Sequence, residues 1–198
     1  MNERSYREWT MRARKNTKEL IEQAALKLFV GQGVAETSIK DIAREAGVSQ
    51  GAMYNHYASK DELAWLLFSD NFTEIGADLR KIAREERDLR SKLRSITAYI
   101  FDRYDRDPTL ISYCFLVRHM HLMQVRTRLG NPYLVIRSII EGETRRENIR
   151  PQALDVAASL VTGAIMQMID MRIYGSLTGS LAQHADAVAD ACVAILEA

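Results

Sequence analysis

Apolar residues recur at helical spacing along most of the chain. Leu20, Ile21, Ala24, Ala25, Leu28 and Phe29 follow the i, i+4, i+8 spacing of one face. Asn16 and Glu19 precede them as an N-cap and capping-box pair, which predicts a helix starting at Asn16 and closed by Gly31 and Gly33. Ser38 with Asp41 predicts a short second helix, and Ser59 with Glu62 a fourth, continued by Leu63, Leu66, Leu67 and Ile75. A charged stretch, residues 80–90, leads into a helix over about residues 89–106. Asp107 then caps a new helix with Pro108 at its first position, where a missing N–H costs nothing. Asn131–Pro132 repeats that device after Gly130, and Pro151 repeats it again. Gly175 and Gly179 close an eighth helix, and Ser180 opens a ninth to about Leu196. No Asn-Gly or Asp-Gly turn and no long strict alternation signals a hairpin. The pattern predicts an all-α fold of about nine helices. A flexible basic arm spans residues 1–15, a three-helix head 16–59 and a larger helical body 60–198.

The uncharged stretch at residues 156–169 holds 14 residues between Asp155 and Asp170. A membrane span needs about 20 apolar residues, so this stretch is expected to be a buried helix, with no membrane partner. Composition agrees with a folded chain: of 198 residues, 47% are apolar and 27% charged. Two cysteines, Cys114 and Cys192, make neither a disulfide framework nor a zinc motif. The N-terminus lacks the apolar run of a signal peptide, so a cytoplasmic protein is expected. Net charge is only +1, but it is unevenly placed: residues 1–60 hold ten bases against seven acids, and residues 151–198 one base against five acids. Five of the bases, Arg4, Arg7, Arg12, Arg14 and Lys15, crowd the first 15 residues, as in arms that touch nucleic acid and in solubilising tails.

The segment at residues 37–57 is the most informative. Ser38 caps a helix whose Ile39, Ile42 and Ala43 point inward, and Ala43 is small enough for a second helix to cross closely. Gly47 can adopt the left-handed turn conformation, Val48 plugs the corner, and Ser49 caps a seven-residue helix over residues 50–56. This is the pattern of a helix-turn-helix, whose second helix enters the DNA major groove. Gln50, Tyr54 and Asn55 are free to meet base edges or phosphates, and His56 and Lys60 suit phosphate contact. The plainer reading is a helical corner with a solvated polar face.

Residues 18–63 resemble the DNA-binding head of the TetR family of bacterial transcriptional regulators. The resemblance is carried by Ala25-Leu26-Lys27-Leu28-Phe29 with Gly33, by residues 37–43 (TSIKDIA), by Ala46-Gly47-Val48-Ser49, by residues 51–57 (GAMYNHY), and by residues 59–63 (SKDEL). It implies that Tyr54, His56 and Lys60 clamp phosphates and that Lys40 reaches a base. It implies that Gln50 and Gly51 open the recognition helix, and that Thr37 and Ser38 bond phosphate. Asn55 and Tyr57 depart from the usual aromatic pair; Tyr57 keeps the core role and Asn55 is left for DNA.

The resemblance also implies a homodimer paired through the last two long helices, reading a pseudo-palindromic double-stranded operator. The residues fit it. Leu154, Ala157, Ala158, Val161, Ile165 and Met168 make one wide apolar stripe, and Leu181, Ala185, Val188, Ala189, Cys192 and Leu196 another. A small-molecule effector pocket is implied in the middle helices, with candidates Phe68, Phe101, Tyr104, Phe115, Arg118, His119, Met120, Met123, Met166 and Asp170, each of which also serves as plain core or surface. No catalytic motif, catalytic residue or cofactor is expected, and no metal: His119 and His121 point about 200° apart on a helix. The expected function is therefore a ligand-released repressor rather than an enzyme, the release working through a shift of the fourth helix over residues 60–79. The alternatives are a helical small-molecule-binding protein or enzyme with a vestigial head, and a ligand-independent DNA binder.

Overall fold

The computed structural model describes residues 3–125, 130–147 and 154–197. Among these residues it contains nine α-helices, one 3-10 turn and no strand. The helices are α1 (Glu3–Gln32), α2 (Ile39–Ala46), α3 (Gln50–Tyr54), α4 (Lys60–Glu85), α5 (Leu89–Arg106), α6 (Pro108–Val125), α7 (Pro132–Glu147), α8 (Leu154–Ile173) and α9 (Ala185–Glu197). The 3-10 turn, Ala182–His184, precedes α9. The predicted Pro151 cap lies outside the described residues.

Most predicted starts are found with their caps. Asp88 accepts from Ser91 N at 2.9 Å, Asp107 from Leu110 N at 3.0 Å, and Asn131 Oδ1 from Tyr133 N at 3.0 Å. Glu62 N donates to Ser59 Oγ at 3.0 Å, and the Glu62 carboxylate accepts from Ala58 N. Three boundaries differ. Helix α1 does not start at Asn16; it is continuous from Glu3, because no Gly or Pro interrupts residues 3–30 and the Arg, Glu, Met and Ala residues there favour helix. Helix α3 has five residues rather than seven, because the N–H groups of both His56 and Tyr57 turn back to the Met53 carbonyl. Ser180 opens the 3-10 turn rather than α9 directly: its hydroxyl accepts from Ala182 N at 3.1 Å.

The chain divides into two compact units. The first runs through Ser69 and includes Tyr113–Arg118. Its core contains Ile21, Ala25, Phe29, Ile42, Met53, Tyr57, Leu63 and Phe68, all buried. Tyr113 joins that core: its ring stacks on Phe29 at 5.6 Å between centroids, and its hydroxyl donates to Ala64 O at 2.6 Å. This unit thus takes in the start of α4 and a stretch of α6, beyond the predicted boundary at residue 59.

The second unit comprises Asp70–Ser112 and His119–Ala198. Leu79, Leu93, Ile96, Phe101, Ile140, Ile169 and Leu181 are buried in it. Helix α5 packs on α9, α7 on α8, and α8 on α9. A nearly buried ion pair, Lys92 to Glu143 at 2.5 Å, joins α5 to α7. The Asp105 carboxylate holds the turn before α9, accepting from Ser180 Oγ at 2.5 Å and from Leu181 N and Ala182 N at 3.0 Å each. Helix α8 is not the wholly buried helix expected. It is 20 residues long, its apolar window has a mean hydropathy of 1.3, and only 33% of that window is buried within the chain. By length and composition alone it could also cross a membrane.

Candidate nucleic-acid interface

The corner between α2 and α3 is built by short-range bonds that the local sequence dictates. Ser38, in extended conformation, accepts from Asp41 N at 3.1 Å, and Asp41 accepts from Ser38 N at 3.2 Å. These bonds from the Ser38 hydroxyl and backbone, helped by Arg44, hold the Asp41 carboxyl below its ordinary range. At the end of α2, Gly47 adopts φ +67°, a left-handed conformation that a side chain would strain. The chain turns there, Val48 N bonds back to Ala43 O at 3.0 Å, and Ser49 caps α3 by accepting from Ala52 N at 3.1 Å. Ile42, Ala43 and Met53 face inward and are buried. Tyr57 is also buried, with its hydroxyl donating to Glu22 at 2.7 Å, which ties the end of the corner to α1.

This inward anchoring decides what faces out. Ser38, Lys40, Ser49, Gln50, Gly51, Tyr54 and Asn55 are exposed, Tyr54 to 57%. Among the described residues nothing hydrogen-bonds the side chains of Lys40, Gln50, Tyr54 or Asn55. They form one polar surface on α2 and α3. His56 is half-buried, its ring 6.4 Å from that of Tyr57.

Three of the ten candidates have their side-chain groups committed within the chain. The Ser38 hydroxyl donates to Asp41 Oδ2 at 2.5 Å while accepting from Asp41 N, which leaves no hydroxyl proton for a phosphate. Thr37 is buried, and its hydroxyl donates to Gly33 O at 2.7 Å while accepting from Gln32 at 3.3 Å. It closes the turn after α1, so the structure gives its hydroxyl no free valence for a phosphate. The Lys60 ammonium donates to Val34 O at 2.6 Å and Ala35 O at 3.2 Å. It staples the loop between α1 and α2 to the start of α4. Carbonyls after a helix end lack intrahelical partners, and a cation satisfies them well. The local sequence does not show this, because 25 residues separate Lys60 from Ala35.

Gly51 has a different character. Its φ is not positive, and a Cβ built there would meet nothing nearer than Ser49 Oγ at 3.8 Å. Nothing inside the chain requires a glycine at this point of a five-residue helix.

The effector candidates divide between the two units. Phe68, Phe115 and Arg118 fall in the first, where Phe68 is buried and the Arg118 guanidinium lies 5.2 Å over the Phe115 ring. Phe101, Tyr104, His119, Met120, Met123, Met166 and Asp170 fall in the second. Phe101 and Tyr104 are buried, Met166 and Asp170 half-buried, and His119, Met120 and Met123 exposed. Among the described residues no group of three or more His, Cys, Asp or Glu could hold a metal.

Residues 21–64 match the family model described as bacterial regulatory proteins, tetR family. Over that segment the chain is similar to the TetR family. Over 114 residues it is 31% identical to MftR of Mycobacterium tuberculosis, a transcriptional regulator named for mycofactocin biosynthesis, covering 58% of this chain and 53% of the relative. Over 96 residues it is 35% identical to the HTH-type transcriptional regulator AcrR of Shigella flexneri, covering 47% and 44%. The chain thus spans about half the length of these curated relatives. The likeness in fold reaches further. FadR of Bacillus subtilis, solved in complex with stearoyl-CoA, superposes with a TM-score of 0.72 at 17% identity, covering 89% of this chain and 97% of that one.

Proposed function

We propose that this chain is a cytoplasmic, homodimeric transcriptional repressor of the TetR family that binds a pseudo-palindromic operator through α2 and α3 and is released by a small-molecule effector. One observation carries the reading. A capped corner with a left-handed glycine turns Ile42, Ala43 and Met53 inward and leaves Lys40, Gln50, Tyr54 and Asn55 exposed, with no side-chain hydrogen bond among the described residues. Seven exposed residues, Ser38, Lys40, Ser49, Gln50, Gly51, Tyr54 and Asn55, form the contact surface, with His56 at its edge. Lys60 serves by holding the loop after α1 and adds a phosphate contact only from that position.

Most of the stripes expected to pair, Leu154, Ala157, Ala158, Val161 and Ile165 on α8 and Leu181, Ala185, Ala189 and Cys192 towards α9, are buried within the single chain. The exposed apolar residues Val156 and Leu160 on α8 and Ile195 on α9 support pairing through these helices instead. Two copies would place two corners on successive major grooves. The effector carries an apolar part, recognised by aromatic and Met side chains of the body. Acyl-CoA thioesters are the first probes, because FadR was solved with stearoyl-CoA.

The test is selection of bound duplexes from a random library by the purified protein, followed by titration of the selected operator at rising salt. A palindromic consensus bound with steep salt dependence is the expected result. Failure to enrich any sequence would remove the DNA-binding role and favour a vestigial head.

A further inference from the structure

The charge that a duplex attracts is not in the helix-turn-helix. Residues 1–60 hold ten bases and seven acids, but residues 16–60 hold five of each. The whole surplus lies in residues 1–15, with five bases against Glu3 and Glu8. The structure continues α1 back to Glu3, so residues 3–15 extend the first helix of the head rather than trailing from it. At 1.5 Å per residue that extension is about 20 Å long. Within that extension Arg4, Arg7, Arg12, Arg14 and Lys15 outnumber Glu3 and Glu8 five to two. Duplex DNA carries one phosphate charge per about 1.7 Å of axis, so a rod of this length runs beside several. A helix holds charges at fixed spacing and loses less freedom on meeting them than a coil would.

We propose that residues 3–15 of α1 are a phosphate-binding extension, which lies against the duplex beside each half-site and supplies the electrostatic share of affinity that α2 and α3, with no net charge of their own, do not. The inference rests on the DNA-binding reading above. It assigns sequence preference to the corner and salt dependence to the extension.

The experiment compares the full chain with a variant carrying Arg4→Gln, Arg7→Gln, Arg12→Gln, Arg14→Gln and Lys15→Gln. Gln keeps helix propensity while removing charge. Affinity for the selected operator is measured from about 50 to 200 mM salt. Each lost phosphate contact lowers the slope of log affinity against log salt by about 0.9. The expected result is a slope shallower by about 2 to 4 per protomer, affinity at least tenfold weaker near 100 mM salt, and an unchanged selected consensus. The five single substitutions, each too small a change to unfold the head, should sum to the same loss of slope. If the wild type binds no duplex, the DNA-binding reading itself fails. If the wild type and the variant bind the operator with the same slope, that reading stands and the extension is only a solvated end. Loss of binding to phosphatidylglycerol vesicles with duplex binding untouched would also overturn the proposal, in favour of a membrane surface.

Discussion

At the scale of single residues, two exchanges separate folding from recognition. Gly51 sits in α3 without a positive φ and with room for a Cβ. Gly51→Ala should therefore raise stability, by about 0.5–1 kcal/mol, since alanine loses less backbone entropy in a helix. On the proposed surface the new methyl stands where a groove wall must approach, so operator affinity should fall at least tenfold. Thermal melting and a DNA titration on one preparation check both; a higher melting temperature with unchanged affinity would take Gly51 out of the interface. Lys60 predicts the opposite pairing. Its ammonium satisfies Val34 and Ala35 carbonyls, so Lys60→Met should cost about 1–3 kcal/mol in the absence of any DNA. A residue used only for phosphate would leave the melting temperature alone.

Secondary-structure elements show which signals travel along the chain and which do not. The caps at Ser38, Ser49, Ser59, Asp107 and Asn131 were legible because each bonds within two or three residues of itself. The start of α1 was not: Asn16 and Glu19 look like a capping box, but helix-favouring residues on both sides keep the helix running through them. The contact surface on α2 and α3 was legible for the same local reason, and Thr37 and Lys60 escaped it because their partners are backbone carbonyls of the preceding loop. Tyr113 under Phe29 and Asp105 at the α9 turn join residues more than 70 positions apart, which periodicity cannot pair. Asp105 carries a prediction of its own. Burial pushes its carboxyl up, but bonds from the Ser180 hydroxyl and the Leu181 and Ala182 amides outweigh this and hold it below its ordinary range. A carboxylate lowered on folding contributes stability that is present above its unfolded value and lost as pH falls through the folded one. Asp105→Asn should thus destabilise the chain at pH 7 and make its stability less steep below about pH 4. Chemical denaturation at pH 7 and at pH 3 measures this, and equal losses at both would remove the carboxylate from the account.

For the molecule as a whole, the bare face of α8 is the feature that one chain leaves unsolved. Val156 and Leu160 are 59% and 46% exposed, one turn apart, and Gly163 continues them with open space where a Cβ would stand. On α9, Ile195 is exposed while Ala189, Cys192 and Val193 are buried, so each helix has a spent side and an unspent one. Arg90 and Arg94 of α5 fix α9 from the spent side by pairing with Asp190 at 2.8 and 3.1 Å. Apolar area left in water costs about 25 cal/mol per Å², and a second copy removes the same patch twice. Leu160→Glu should place an unpaired charge at the centre of that patch and give a monomer. Because Leu160 contributes little to the core of its own chain, helicity should be kept. Sedimentation of the wild type at micromolar concentration should show the dimer, and that of the variant the monomer. Operator affinity supplies the link to function. A dimer on two half-sites gains from effective concentration, so the monomer should lose at least a hundredfold on the full palindrome and little on a single half-site. A variant that stays dimeric would move the pairing surface off α8, and a wild type that is monomeric at these concentrations would remove the dimer from the reading. A monomer that still binds the palindrome as tightly as the dimer would mean that the two corners do not act together.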